Sequence, residues 1–160
     1  MQELLQLLVI AAIVGSGLVT GLLFAFSVAV MRALLQLAPE AGMSAMQRIN
    51  VVIINPLFLL AFLGTSALCL AIAVVIAVRG SFDAGSFWLL LGAAAYLLGP
   101  LGITMAFNVP LNNRLASLDA SRAAEEWPRY VAPWLRWNHL RTLLGSLAMV
   151  FLALGLARSV

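Results

Sequence analysis

The sequence predicts an all-α integral membrane protein: a four-transmembrane-helix bundle, assembled from two duplicated helical hairpins. Three observations carry that expectation. Of the 160 residues, 64% are hydrophobic and only 9% are charged, whereas a soluble domain carries about a quarter charged residues. Long uncharged runs recur along the chain. One short string also occurs twice: Ala25-Phe-Ser-Val-Ala-Val-Met-Arg-Ala-Leu34 returns as Ala106-Phe-Asn-Val-Pro-Leu-Asn-Asn-Arg-Leu115. Each copy closes an apolar run, and residues 1–160 read as a single four-helix membrane domain.

A spanning helix needs about 20 mostly apolar residues to cross about 30 Å of hydrocarbon. Residues 4–31, 51–78 and 84–113 carry no charge, and each is long enough. Residues 142–157 are also uncharged, but at about 1.5 Å per residue they cover only about 24 Å. The last span must therefore begin near Trp137, which puts Asn138, His139 and Arg141 at or just inside the membrane boundary. Ionisable groups at that depth are costly and mark function by default; snorkelling of Arg141 to headgroups is the plain alternative.

The connections are unequal. Residues 79–86 form a short turn. Residues 32–50 contain Pro39-Glu40-Ala41-Gly42 and then a short interfacial helix through Gln47-Arg48-Ile49-Asn50. Residues 114–138 read as the longest loop, with Asp119 or Ser121 capping a short helix. Its Trp127, Tyr130, Trp134 and Trp137, interleaved with Arg129 and Arg136, suit the headgroup layer or a lid over a site.

The nine cations are all Arg. Six of them, from Arg32 to Arg136, flank the two long connections, against Arg79 and Arg158 on the other side. The positive-inside rule then expects cytoplasmic long loops and both termini outside, in a bacterial inner membrane. Nine scattered Arg make no nucleic-acid footprint. The amino terminus has no basic n-region and no short h-region, so no cleavable signal is expected. The lone Cys69 cannot form an internal disulfide.

In lipid, small residues mark helix contacts. Gly17, Gly21, Ala25 and Ala29 recur every four residues in span one, and Ala61, Thr65, Cys69, Ala73 and Ala77 do so in span two. These stripes predict the seam of the first hairpin, with a homo-oligomeric contact as the alternative use of Gly17–Gly21. Gly99-Pro100 predicts a kink in span three. Two hairpins pointing the same way imply a pseudo-two-fold axis along the membrane normal.

The unusual polar residues gather at one end of this arrangement: Ser27, Asn50, Asn55, Thr104, Asn108, Asn112, Asn138, His139, Arg141 and Thr142. Asn and Arg donors can hold an enolate, phenolate or carboxylate. His139 is the one side chain that titrates near neutrality unaided, hence the obvious general base. It lies about 200° from Arg141 around a helix, so the two should not share one narrow pocket. A tied-down bundle of mutually bonded amides is the non-catalytic alternative. One His and one Cys make neither a zinc nor a di-iron set, while haem or copper on His139 stays open.

Five strings carry a resemblance: Gly21-Leu-Leu-Phe-Ala-Phe-Ser27, Met46-Gln-Arg-Ile-Asn50, Asn55-Pro-Leu-Phe58, Ala106-Phe-Asn-Val-Pro-Leu-Asn112 and Trp134-Leu-Arg-Trp-Asn-His-Leu-Arg-Thr142. In them the chain resembles the anthrone oxygenase family of small four-span membrane proteins. The resemblance implies oxygenation of a lipophilic polycyclic anthrone to an anthraquinone, with dioxygen as co-substrate and no resident cofactor. His139 would be the base and Arg141, Asn108 and Asn112 the oxyanion donors. Ser27, Asn50, Asn55, Trp137 and Asn138 would line the substrate. A membrane binder or transporter of small lipophilic molecules, or a structural membrane protein, is the alternative.

Overall fold

A computed structural model describes residues 2–80 and 82–158, and among them there is helix, turn and bend but no strand. Four helices are long and apolar enough to cross a membrane. They are α1 (Gln2–Leu35), α3 (Pro56–Arg79), α4 (Ala84–Ala116) and α5 (Ala120–Arg158). The shorter α2 (Pro39–Val52) joins the first two. Helix α1 packs on α3 and α5, α4 packs on α5, and α3 closes the ring against α4. The two hairpins, α1 with α3 and α4 with α5, thus have their first helices on one diagonal and their second helices on the other.

The helix starts follow local chemistry. Proline stands at the first turn of both α2 and α3, where its missing N–H costs nothing. The Asn55 side chain accepts from the Phe58 backbone N–H at 3.0 Å and caps α3. Gly80 closes that helix at φ 64°, a left-handed position that favours glycine. Asp83 caps α4 by accepting from the Ser86 N–H at 2.7 Å. That backbone bond, with a second from the Ser86 side chain, holds the Asp83 carboxyl below its ordinary 3.8. A depressed folded pKa gives a cap that is in place above the ordinary value and is lost as pH falls through the folded one. Amide exchange at residues 85–87 is therefore expected to accelerate below about pH 3.8, the ordinary value; exchange that stays flat there would remove Asp83 from the cap.

Three departures from the sequence reading shape the site. The first is α5. Residues 114–138 are not a loop: Ala123–Arg158 is one helix of 36 residues, about 54 Å long. It is longer than the hydrocarbon is thick. With Arg158 at one boundary, Asn138 falls about 30 Å away at the other. Trp127, Tyr130 and Trp134 are not in a lipid-facing belt either. They are buried with Phe26, Met31, Met43, Met46 and Leu115 in one apolar layer, which α2 helps to close.

The second departure is the seam of the first hairpin. Gly21 and Ala29 are exposed, and a Cβ on Gly21 would meet nothing within 4 Å. Helix α1 meets α3 instead through Gly15, set against Thr65, and meets α5 through Gly17, where an added Cβ would stand 3.4 Å from Met149 Cε. Within the hydrocarbon-spanning stretches the close backbone approach belongs to α4 and α5. A Cβ on Gly92 would stand 2.9 Å from the Leu152 backbone nitrogen, and one on Gly155 would stand 2.9 Å from that of Leu89.

The third departure is the backbone of α4. Gly99-Pro100 does not interrupt the helix: Leu97–Asn108 continues as π-helix. Pro110 then stands in the first turn of the α-helical stretch that follows, Val109–Ala116. Phe26–Val30 in α1 is π-helical as well. Both copies of the repeated string therefore touch π-helical backbone, a distortion frequent at functional sites.

Candidate functional site

The polar residues meet between the Trp/Met layer and the middle of the bundle, and Arg141 is their centre. It is only 6% exposed. Its Nη1 donates to Thr104 Oγ1 at 2.8 Å and its Nη2 to Asn138 Oδ1 at 2.7 Å. The guanidinium carbon lies 5.5 Å from the centre of the Trp134 ring. The Arg141 Nε is buried without a partner. Among the described residues, no carboxylate comes within ion-pairing distance of it.

Helix α5 presents this chemistry by spacing. Tyr130, Trp134, Asn138 and Arg141 are all buried and fall three or four residues apart, so they form one stripe on the face turned to α1 and α4. Asn138 is fully buried and fully used. Its Nδ2 donates to the Leu23 carbonyl and to Ser27 Oγ, both at 2.8 Å, while its Oδ1 takes Arg141. Asn138 thereby ties α1 to the arginine.

The α4 residues complete the site. Thr104 Oγ1 accepts from Arg141 and donates to the Pro100 carbonyl at 2.5 Å. Asn108 is 1% exposed; its Nδ2 reaches the Trp134 carbonyl at 3.4 Å, and its Oδ1 has no partner. Asn112 Oδ1 accepts from the Tyr130 hydroxyl at 2.8 Å and from Trp134 Nε1 at 3.0 Å. The Asn50 amide of α2 lies beside that hydroxyl, with its buried Nδ2 lacking a hydrogen bond of good geometry. The cation's own Nε, Asn108 Oδ1 and Asn50 Nδ2 are thus left without a partner of good geometry, and such groups ordinarily find one.

His139 and Arg141 diverge, as their angular spacing requires. Arg141 faces the bundle, and His139 is exposed. Its Nδ1 still lies 3.0 Å from Ser27 Oγ. That hydroxyl oxygen also accepts from Asn138 Nδ2 at 2.8 Å and lies 3.4 Å from Thr142 Oγ1, so Ser27 joins His139 to the buried network. Asn55 and Trp137 stand apart from the cluster. The Asn55 amide is turned to its own backbone, with Nδ2 on the Val52 and Ile53 carbonyls. Trp137 stacks on Phe107, centres 3.7 Å apart.

Thr104, Tyr130 and Trp134 belong to the arginine's environment; the sequence places Thr104 in the polar cluster and offers the two aromatics as a headgroup layer or a lid, but names none of them as a catalytic or substrate-binding residue. Their signal was the three-four spacing, which continues through residues 145, 148, 152 and 155 and marks a single buried face. Pro128 and Pro133 obscured it, because proline usually interrupts a helix. Glu126, 4% exposed, locks the layer above. It holds Arg114 at 2.7 Å and Arg122 at 3.0 Å, so the end of α4 is tied to the start of α5. Among the described residues, no three His, Cys, Asp or Glu side chains converge as a metal-ligating group.

Fold and site together define a membrane-spanning helical bundle with a buried cation held by neutral dipoles near one boundary. A family model described as anthrone oxygenase matches residues 58–151, more than half of the chain, and the chain belongs to that family. The matched stretch contains Thr104, Asn108, Asn112, Trp134, Asn138, His139 and Arg141; Ser27 and Asn50 fall before it. Neither the curated proteins nor the solved structures gave a match.

Proposed function

We propose that the protein is a membrane oxygenase acting on a lipophilic anthrone-type aromatic, with dioxygen as co-substrate. One observation carries this reading: Arg141 is a buried cation with only neutral partners and an open Nε. Such a charge is costly unless something compensates it, and a delocalised enolate or phenolate is a matching counter-charge. Deprotonated anthrone is electron-rich enough to give an electron to dioxygen. Anthrone and O2 then yield anthraquinone and water, the methylene carbon having lost two hydrogens and gained one oxygen.

In this reading Arg141 and the Asn108 and Asn112 amides stabilise the anion, and Asn138 and Thr104 hold the guanidinium in place. His139 takes the proton, with Ser27 orienting its ring. Asn50 lies at the margin of the pocket. In the same reading the site faces the cytoplasm in a bacterial inner membrane, an orientation that the arginine asymmetry supports.

The test is oxygen uptake by the protein in phosphatidylcholine vesicles given anthrone, with empty vesicles correcting for spontaneous oxidation. One O2 consumed per anthraquinone formed is expected. Anthrone bound without uptake would replace the oxygenase by a binder or carrier, which the same unpaired cation also favours. His139→Ala is expected to lower kcat by about 10²-fold, the lower end for a lost general base. Unchanged turnover would remove His139 from the chemistry.

A further inference from the structure

An open groove of ≈ 540 Å³ lies between α1, α2 and the start of α3, in the volume range of small-molecule sites. Its walls are apolar, from Leu22, Phe26, Val30, Ile49 and Val52, with Arg48 and Asn55 as its polar members. The neighbouring α2–α3 corner exposes Val51 at 65%, Ile54 at 68% and Leu57 at 78%. Exposed apolar surface of that extent belongs in lipid, so the groove opens toward the bilayer and not toward water.

Phe26 links this groove to the arginine. Phe26 is among the residues that line the groove, and its ring centre lies 5.5 Å from that of Trp134, the ring that also carries Arg141. Phe26 begins the π-helical turn Phe26–Val30, and both ends of that turn line the groove. The open Asn50 Nδ2 follows Ile49 on the same helix.

We propose that this groove receives a flat, uncharged aromatic molecule laterally from the bilayer, and that Phe26 is the partition between it and the Arg141 cluster. The physical reason is a mismatch of solvents. An anion matched to Arg141 does not dissolve in hydrocarbon, whereas its neutral conjugate acid does. The neutral form therefore takes the apolar route, and only past Phe26 does it meet the cation that favours its anion. The proposal rests on the functional reading above for the ligand's class, but not for any chemical step.

The experiment uses an azido-anthracene, which has no acidic proton, on the full chain in phosphatidylcholine nanodiscs. Photolysis followed by peptide mapping is expected to label residues 22–30 and 45–53. Ala45→Phe fills the groove and Val52→Trp covers its mouth; Val52 is already 59% exposed, so this second variant keeps the fold. Each is expected to cut that labelling at least tenfold and to raise KM for anthrone with kcat unchanged, while Leu63→Trp on the lipid face of α3 changes neither. Labelling elsewhere, or labelling indifferent to both variants, would overturn the proposal. So would a phospholipid that stays on these residues and is not displaced by the probe. Groove labelling that the variants suppress, in a protein without anthrone turnover, would keep the proposal and sink the oxygenase.

Discussion

Arg141→Met is expected to leave the bundle folded and to lower anthrone turnover by about 10³-fold, the scale of a lost oxyanion donor in a dry site. The substitution removes a buried charge and keeps a long apolar stem over Trp134. Its structural cost is two hydrogen bonds, to Thr104 and Asn138, with Asn138 Oδ1 left open at about 1–3 kcal/mol. Relief of the desolvated cation offsets that cost, because replacing buried charge by apolar side chains is often neutral or stabilising. The melting temperature should stay within a few degrees of the parent, about what 1 kcal/mol moves a protein of this size. Parent-like turnover would mean that Arg141 is not the anion's partner. Collapse of the fold would make it a structural strut.

Gly92→Val is expected to be among the most damaging single changes in the membrane interior. The added carbons would enter the space of the Leu152 backbone nitrogen, 2.9 Å from the ideal Cβ, and of the Ala148 carbonyl, 3.1 Å away. Backbone cannot step aside as a side-chain tip can, so α4 and α5 must separate, and overpacking of this kind costs about 1–3 kcal/mol or more. The site would suffer with the fold, because Thr104, Asn108 and Asn112 reach α5 only across this interface. Gly21→Val is the matched control, with nothing within 4 Å of its Cβ. Thermal melting in detergent that ranks Gly21→Val as the worse of the two would show that α1, not α4, carries the critical small-residue seam.

These two predictions mark the boundary of what the chain itself made legible. Four spans, the α2 helix and the clustering of the polar residues at one end all follow from composition and patterning, since lipid admits only helices with their backbone bonds made internally. The divergence of His139 from Arg141 was legible too, because two residues on a helix are separated by a fixed angle. Asn138, Arg141 and Asn108 could be picked out because buried polar groups in an apolar run are too costly to be incidental.

Partners were another matter. Gly17 and Gly21 have the spacing of a contact motif, yet Gly15 and Gly92 make the close approaches. Which small residues touch depends on helix rotation, which is set by every side chain along the interface at once. Trp127, Tyr130 and Trp134 have the composition of a headgroup belt, but burial depends on what covers them, and α2 and the end of α1 supply that cover.

The sequence by itself determined the solvent, the number of spans and the kinds of chemistry present, because these are sums over local residue properties. Only the tertiary structure decided that Arg141 stands without a counter-charge among the described residues, and that Phe26 joins the Trp134 ring beside it to an apolar groove. Both depend on distances between helices far apart in the chain, and no local pattern encodes those distances.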